Sequence, residues 1–99
     1  MRVRDEIAHS HPALPGHFPG NPVVPGVLLL GRVARAAANA YGGAPASLSA
    51  ARFHAPLRPG EAYDIEFEPE GDSALKFRVL RDATLIAAGT FRLSMATVR

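Results

Sequence analysis

Alternation of apolar and polar positions dominates the second half of the chain. Tyr63, Ile65 and Phe67 interleave with Asp64, Glu66 and Glu68, and Leu75, Phe77 and Val79 interleave with Lys76 and Arg78. Period two of this kind marks strands with one buried face. Pro69-Glu70-Gly71-Asp72-Ser73 lies between them and predicts a hairpin turn. A register centred on Asp72 sets Glu68 opposite Lys76 and Glu66 opposite Arg78, complementary pairs on the wet face. Leu85, Ala87, Gly89, Phe91, Leu93 and Met95 extend the alternation into a long last strand. Ser49 to Pro56 predicts another strand, ended by a turn at Pro59-Gly60, and Arg2 to Ala8 a first one.

Val27 to Tyr41 has a different character. Leu28, Leu29, Leu30, Val33 and the alanines up to Ala40 give it an apolar majority, broken mainly by Arg32 and Arg35. Pro25-Gly26 precedes it and Gly42-Gly43 follows, the signals of a helix start and stop. A helix apolar on most sides is expected to be buried on most sides. Between the first strand and this helix, residues 9 to 26 hold five prolines in eighteen positions, which excludes a helix interior or a central strand. Stiff loops of this kind often carry function. The order strand, stiff loop, helix, four strands predicts a single α+β domain over residues 1–99, one helix on a curved antiparallel sheet of about five strands. Such a sheet has exposed edges that dimerisation would close.

Composition narrows the classes. The chain has 99 residues, 47% of them apolar and 20% charged, and no cysteine. Disulfides, thiolate metal sites and cysteine nucleophiles are therefore excluded, and oligomerisation becomes the natural further source of stability for so small a core. The first residues are charged, and the apolar stretch from Val23 to Leu30 is far too short to span a bilayer. A cytoplasmic location is the default expectation. Charge is unevenly distributed: Ile7 to Gly60 has no acid but contains Arg32, Arg35, Arg52 and Arg58 and all four histidines, whereas residues 61 to 82 carry seven acids against three bases. A basic region without interleaved aromatics or a reader motif argues against nucleic acid and fits an acidic protein carrier. The spacing of His9, His11 and His54 matches no metal motif, and none of the five serines sits in a G-x-S-x-G context.

The stretch GHFPGNPVVPGVLLL, Gly16 to Leu30, resembles the hotdog-fold 3-hydroxyacyl-acyl-carrier-protein dehydratases of fatty acid and polyene synthesis. Their pattern is HFPG, one residue, P, two apolar residues, PGV and a leucine-rich helix start. Here it reads His17-Phe18-Pro19-Gly20, Pro22 and Pro25-Gly26-Val27. ARFHAPLRPGEAYDIEF, Ala51 to Phe67, resembles the later part of the same family. The resemblance implies a hotdog dimer with active sites at the subunit interface. It implies His17 as the base that removes the α-proton and the Gly26 N–H as donor to the thioester oxygen. Phe18, Pro19, Val24, Val27, Leu28 and Leu30 would line the acyl site, and Arg32, Arg35, Arg52 and Arg58 would meet the carrier. No cofactor is implied, because 4'-phosphopantetheine arrives with the carrier or a CoA thioester.

These roles suit the chemistry. Removing a proton next to a thioester asks for a base whose pKa lies near the working pH, and histidine provides one. Fixed N–H groups at a helix N-terminus stabilise the developing enolate without rearrangement. One part departs from the pattern. The family sets Asp or Glu four residues after the PGV valine, and this carboxylate, on the partner subunit's helix, protonates the departing hydroxyl; here that position is Gly31. Arginine does not donate a proton at neutral pH, so Arg32 and Arg35 are no substitute. Four readings stay open: His11 or His54 as an imidazolium acting through water, a carboxylate from a related chain in a heterodimer, a thioesterase-like or acyl-binding protein without dehydration, and a disabled variant.

Overall fold

Edge to edge, the sheet runs β1-β3-β4-β5-β2, antiparallel throughout. Its strands are β1 (Arg2–Glu6), β2 (Ser47–Phe53), β3 (Ala62–Glu70), β4 (Ala74–Arg81) and β5 (Thr84–Arg92), with one helix, α1 (Gly26–Tyr41), between the first two. The computed structural model describes residues 1–8, 23–43 and 45–93. His9, His11, His17, Phe18, Pro19 and Met95 lie outside the described residues. One helix with a five-stranded antiparallel sheet is the arrangement expected of a hotdog fold.

The alternation in β3 and β4 turns Tyr63, Ile65, Phe67, Leu75, Phe77 and Val79 towards the helix, all buried. Burying an aliphatic or phenylalanine side chain of this size stabilises by about 1.5–3 kcal/mol, so this face dominates the core. From the helix it receives Leu29, Val33 and Ala37, spaced by four and therefore on one stripe. The expectation of burial on most sides needs correcting here. Leu28, Leu30, Ala34 and Ala36 are only partly buried, and Val27 is 81% exposed. One sheet covers one side of the helix and does not close around it.

The helix ends as its sequence directs. Gly42 adopts φ 81°, a left-handed conformation that favours glycine, and its N–H donates to the Ala38 carbonyl at 3.0 Å. Pro25 stands before the first turn without a side-chain cap, and its carbonyl accepts from the N–H groups of Leu28 and Leu29.

The β3–β4 hairpin has the expected register, with Glu66 opposite Arg78 and Glu68 opposite Lys76. Arg78 donates to Glu66 at 2.6 Å, and Arg2 on β1 pairs with the same carboxylate. Together they hold Glu66 below the usual carboxylate range, the Arg78 hydrogen bond first and the Arg2 bond second. Lys76 reaches Glu70 at 3.4 Å instead of the residue opposite. The turn is shorter than the sequence implied, because Pro69 and Glu70 remain in β3. The reason is local. The Phe67 N–H donates across to the Met1 carbonyl, so the backbone N two residues on faces the same side, beyond the end of β1. A proline there forfeits no ladder bond.

A bulge interrupts the β4–β5 pairing between Val79 and Leu80, leaving Ile86 as the extra residue. Both Ile86 and Ala87 are then buried, and the Ile86 carbonyl accepts from the N–H groups of His54 (2.8 Å) and Ala55 (3.3 Å). This bulge shapes the site described next.

Candidate functional site

The PGV segment opens α1, and the chain before it is pinned to the β2–β3 connection: the Val24 N–H donates to the Leu57 carbonyl at 2.8 Å. That bond lies at one end of an apolar cleft of about 520 Å³, lined by Val24, Gly26, Leu29, Phe53, Leu57 and Ile86 among others. A cleft of this size and lining suits an apolar group of small-ligand dimensions. Gly26 lies in its wall, at the first helical position. N–H groups in a first turn have no intrahelical acceptor, and the Gly26 N–H has no partner among the described residues. The positive end of a helix therefore borders an apolar cleft, a setting in which backbone N–H groups can stabilise negative charge.

A side chain at this position would have to displace the ring of Phe53. A Cβ on Gly26 would lie 2.7 Å from Phe53 Cζ and 3.1–3.2 Å from the two adjoining ring carbons. The ring of Phe53, at the end of β2, thus rests against the backbone of the helix start. Phe53, Leu29, Leu57 and Ile86 did not emerge as site residues from the sequence. Leu29 was hidden in a run of three leucines, and Ile86 reaches the cleft only through its bulge. Phe53 lies within a stretch already notable for its resemblance to the family, which was the one available signal.

Of the expected acyl-site residues, Val24 lines this cleft beside Gly26, the expected donor. Val27 points to solvent, and Leu28 and Leu30 pack at the margins of the core, outside the cleft. Gly31 is exposed on the same helix face as Val27 and Arg35, and a Cβ placed on it would meet nothing within 4 Å among the described residues. The helix has no acid in its first turn.

The four arginines divide. Arg35, Arg52 and Arg58 are exposed. Arg32 is bound to β1: its Nη1 donates to both carboxylate oxygens of Asp5 at 3.1 Å. The Tyr63 hydroxyl donates to the same carboxylate at 3.0 Å. Burial, reinforced by the Asp5 charge, pushes the Tyr63 phenol well above its ordinary value. This cluster joins helix to sheet and leaves Arg32 engaged within the chain. A wider trough, about 1060 Å³, crosses the outer face of the sheet. Charged side chains such as Arg52, Glu66, Glu68, Lys76 and Arg78 line it, on the face opposite the helix, and no helix residue reaches it. Among the described residues no group of three or more His, Cys, Asp or Glu is placed to hold a metal ion, and no helix is long and apolar enough to cross a membrane.

Comparison with known proteins agrees with this geometry. The family model of ApeI-like proteins, described as ApeI dehydratase, matches residues 1–90. A 3-hydroxyacyl-[acyl-carrier-protein] dehydratase FabZ from Thermus thermophilus is 38% identical over 78 residues, covering 69% of this chain and 55% of that protein. The FabZ of Blochmanniella pennsylvanica is 35% identical over 91 residues, covering 79% and 60%. The chain spans about half the length of the curated relatives it matches. Among solved structures, the dehydratase heterocomplex ApeI:P from Xenorhabdus doucetiae superposes with a TM-score of 0.77 at 26% identity, covering 92% of this chain and 83% of that one. An Erwinia carotovora protein superposes with a TM-score of 0.75 at 25% identity, covering 94% and 81%. With a family model matching residues 1–90 and this structural likeness, the chain belongs to the ApeI-like dehydratase family of hotdog proteins.

Proposed function

We propose that this chain is a subunit of a dehydratase acting on (3R)-hydroxyacyl thioesters, delivered by an acyl carrier protein or as CoA thioesters, in fatty acid or polyene synthesis. The observation that carries the reading is the Gly26 backbone at the start of α1, set in the wall of an apolar cleft, with no acceptor for its N–H among the described residues. In this scheme the thioester carbonyl oxygen accepts from Gly26 while His17 takes the α-proton. The electron pair released from the C–H bond forms the Cα–Cβ double bond, and the β-hydroxyl leaves as water once protonated. No cofactor enters the reaction; the 4'-phosphopantetheine arm belongs to the substrate. Arg35, Arg52 and Arg58 are the cations proposed to meet the acidic carrier, since Asp5 already occupies Arg32.

The proton for the leaving hydroxyl has to come from elsewhere, because Gly31 stands where relatives of this pattern carry a carboxylate. We assign that role to a second hotdog chain, paired with this one as a dimer, which contributes an Asp or Glu across the shared site. The similarity to one chain of a dehydratase heterocomplex supports this form over a self-sufficient homodimer. A second reading follows from the same observation: this chain retains the scaffold and acts as the non-catalytic member of the pair.

The test is enoyl formation from a 3-hydroxyacyl-pantetheine thioester, followed by absorbance, for the native chain, His17→Ala and Gly31→Asp. General acid catalysis contributes a factor of about 10²–10⁴, so Gly31→Asp should raise turnover by up to that range. His17→Ala made in the Gly31→Asp background should remove the gain. Release of free acid without enoyl product would replace dehydration with thioester hydrolysis. Silence in both the native chain and Gly31→Asp, with the fold intact, would favour the non-catalytic role.

A further inference from the structure

Among the described residues Phe53 is the one large aromatic at the cleft, and core packing does not account for it, since it is 48% exposed. It is the last residue of β2, paired with Ala87, on the same sheet face as the helix. The bulge at Ile86 follows at once, and the Ile86 carbonyl takes the next two N–H groups of this strand, fixing the backbone from which Phe53 projects. From there the ring reaches across the cleft until its tip meets the backbone of Gly26. On one side of it lie the buried Val24, Leu29, Leu57 and Ile86, and on the other lies solvent.

Building on the thioester reading, we infer that Phe53 is the specificity-determining residue of the cleft, a ring-sized wall beside the Gly26 donor that limits the bulk of the acyl group admitted. Two features of the geometry demand this position. The ring and the absent Gly26 Cβ are complementary, so any enlargement of either must displace the other. The ring also rests on the backbone that carries the Gly26 N–H, so an acyl group too bulky for the cleft presses on the element that would hold its carbonyl. A smaller side chain at position 53 opens the cleft outward without touching Gly26, and a larger one narrows it. Pocket discrimination by one or a few methylenes is about 10–200-fold, which sets the scale of the effect.

The experiment uses 3-hydroxyacyl-pantetheine amides of rising chain length and of aryl type, in which an amide replaces the thioester so that nothing turns over. Binding to the native chain, Phe53→Ala, Phe53→Leu and Phe53→Trp is measured by calorimetry, with circular dichroism to show that each is folded. The native chain should show a bulk limit beyond which affinity falls. Phe53→Ala and Phe53→Leu should move that limit to bulkier amides, with gains of about tenfold or more for those the native chain rejects. Phe53→Trp should move it the other way. Unchanged selectivity in the folded variants, or equal changes across the whole series, would overturn the role of Phe53 and leave the thioester reading standing. Failure of the native chain and every variant to bind any amide would overturn both.

Discussion

Gly31 and Gly89 are both glycines inside regular elements, and the structure gives them opposite meanings. At Gly31 a side chain would project into open space, so nothing in the described fold excludes the carboxylate that the sequence pattern leads one to expect. Glycine in a helix interior costs about 1 kcal/mol against alanine, so helix stability does not account for it either. At Gly89 a Cβ would run into the Ala50 carbonyl oxygen and the ring of Phe77. One of these is backbone, held in the β2–β5 ladder where the register shifts between Leu48 and Ala50, so it cannot swing aside. Gly89→Ala should therefore destabilise by about 1–3 kcal/mol, in the range of overpacked cores. Urea denaturation followed by circular dichroism measures this, and a loss below about 0.5 kcal/mol would show that the sheet relaxes at little cost. The sequence showed Gly31 only as a departure from a pattern and Gly89 only as one more inward position on a strand. Which glycine has room and which has none depends on contacts made across the sheet.

Between elements, the Asp5 carboxylate is the tie that local pattern could not reveal. It sits on β1 yet accepts from Arg32 on α1 and from the Tyr63 hydroxyl on β3, residues far apart in sequence. The hairpin register, by contrast, was legible residue for residue, because the alternation and the turn lie within a few positions of each other. The Ile86 bulge was not, since a smooth alternation of side chains carries no mark of where a ladder shifts. Removing the carboxylate with Asp5→Ala leaves the buried Tyr63 hydroxyl and the half-buried Arg32 guanidinium without their partner. A loss of about 1–3 kcal/mol is expected, larger than that of Tyr63→Phe, which removes only one of the bonds. The phenol also predicts a dependence on pH. Its pKa is raised in the folded chain, by burial first and by the Asp5 charge next, above an ordinary value of 10.0. The unfolded chain then ionises first as pH rises, so this contribution is complete below 10.0 and is lost progressively above it. Urea midpoints on either side of that value should fall more for the native chain than for Tyr63→Phe. Equal falls would mean that Tyr63 ionises as readily folded as unfolded.

At the scale of the whole molecule, the two free edges of the sheet are unlike. β1 carries Arg2, Arg4, Asp5 and Glu6 in five residues, the charged edge that discourages strand addition. β2 reads Ser-Leu-Ser-Ala-Ala-Arg-Phe and is exposed along its whole length. Leu48 lies opposite the buried Phe91, Ala51 opposite Gly89 and Phe53 opposite Ala87, so this side of β2 continues the apolar face beyond the reach of the helix. The uncovered flank of α1 at Val27 adds to the same need for a cover. A second hotdog chain meeting β2 edge to edge would continue the sheet and bury both, and it would bring a foreign carboxylate to the edge where Phe53 borders the Gly26 cleft. Sedimentation should accordingly show a dimer, either of this chain alone or with its related partner. Leu48→Lys should shift it towards monomer by setting a charge in the seam, whereas Glu6→Lys on the opposite edge should leave it unchanged. A dimer that ignores Leu48→Lys but dissociates with Glu6→Lys would move the seam to β1 and take the missing acid away from the Gly26 cleft. The source of the proton and the choice of sheet edge are thus one question, and the oligomer answers it before any substrate is added.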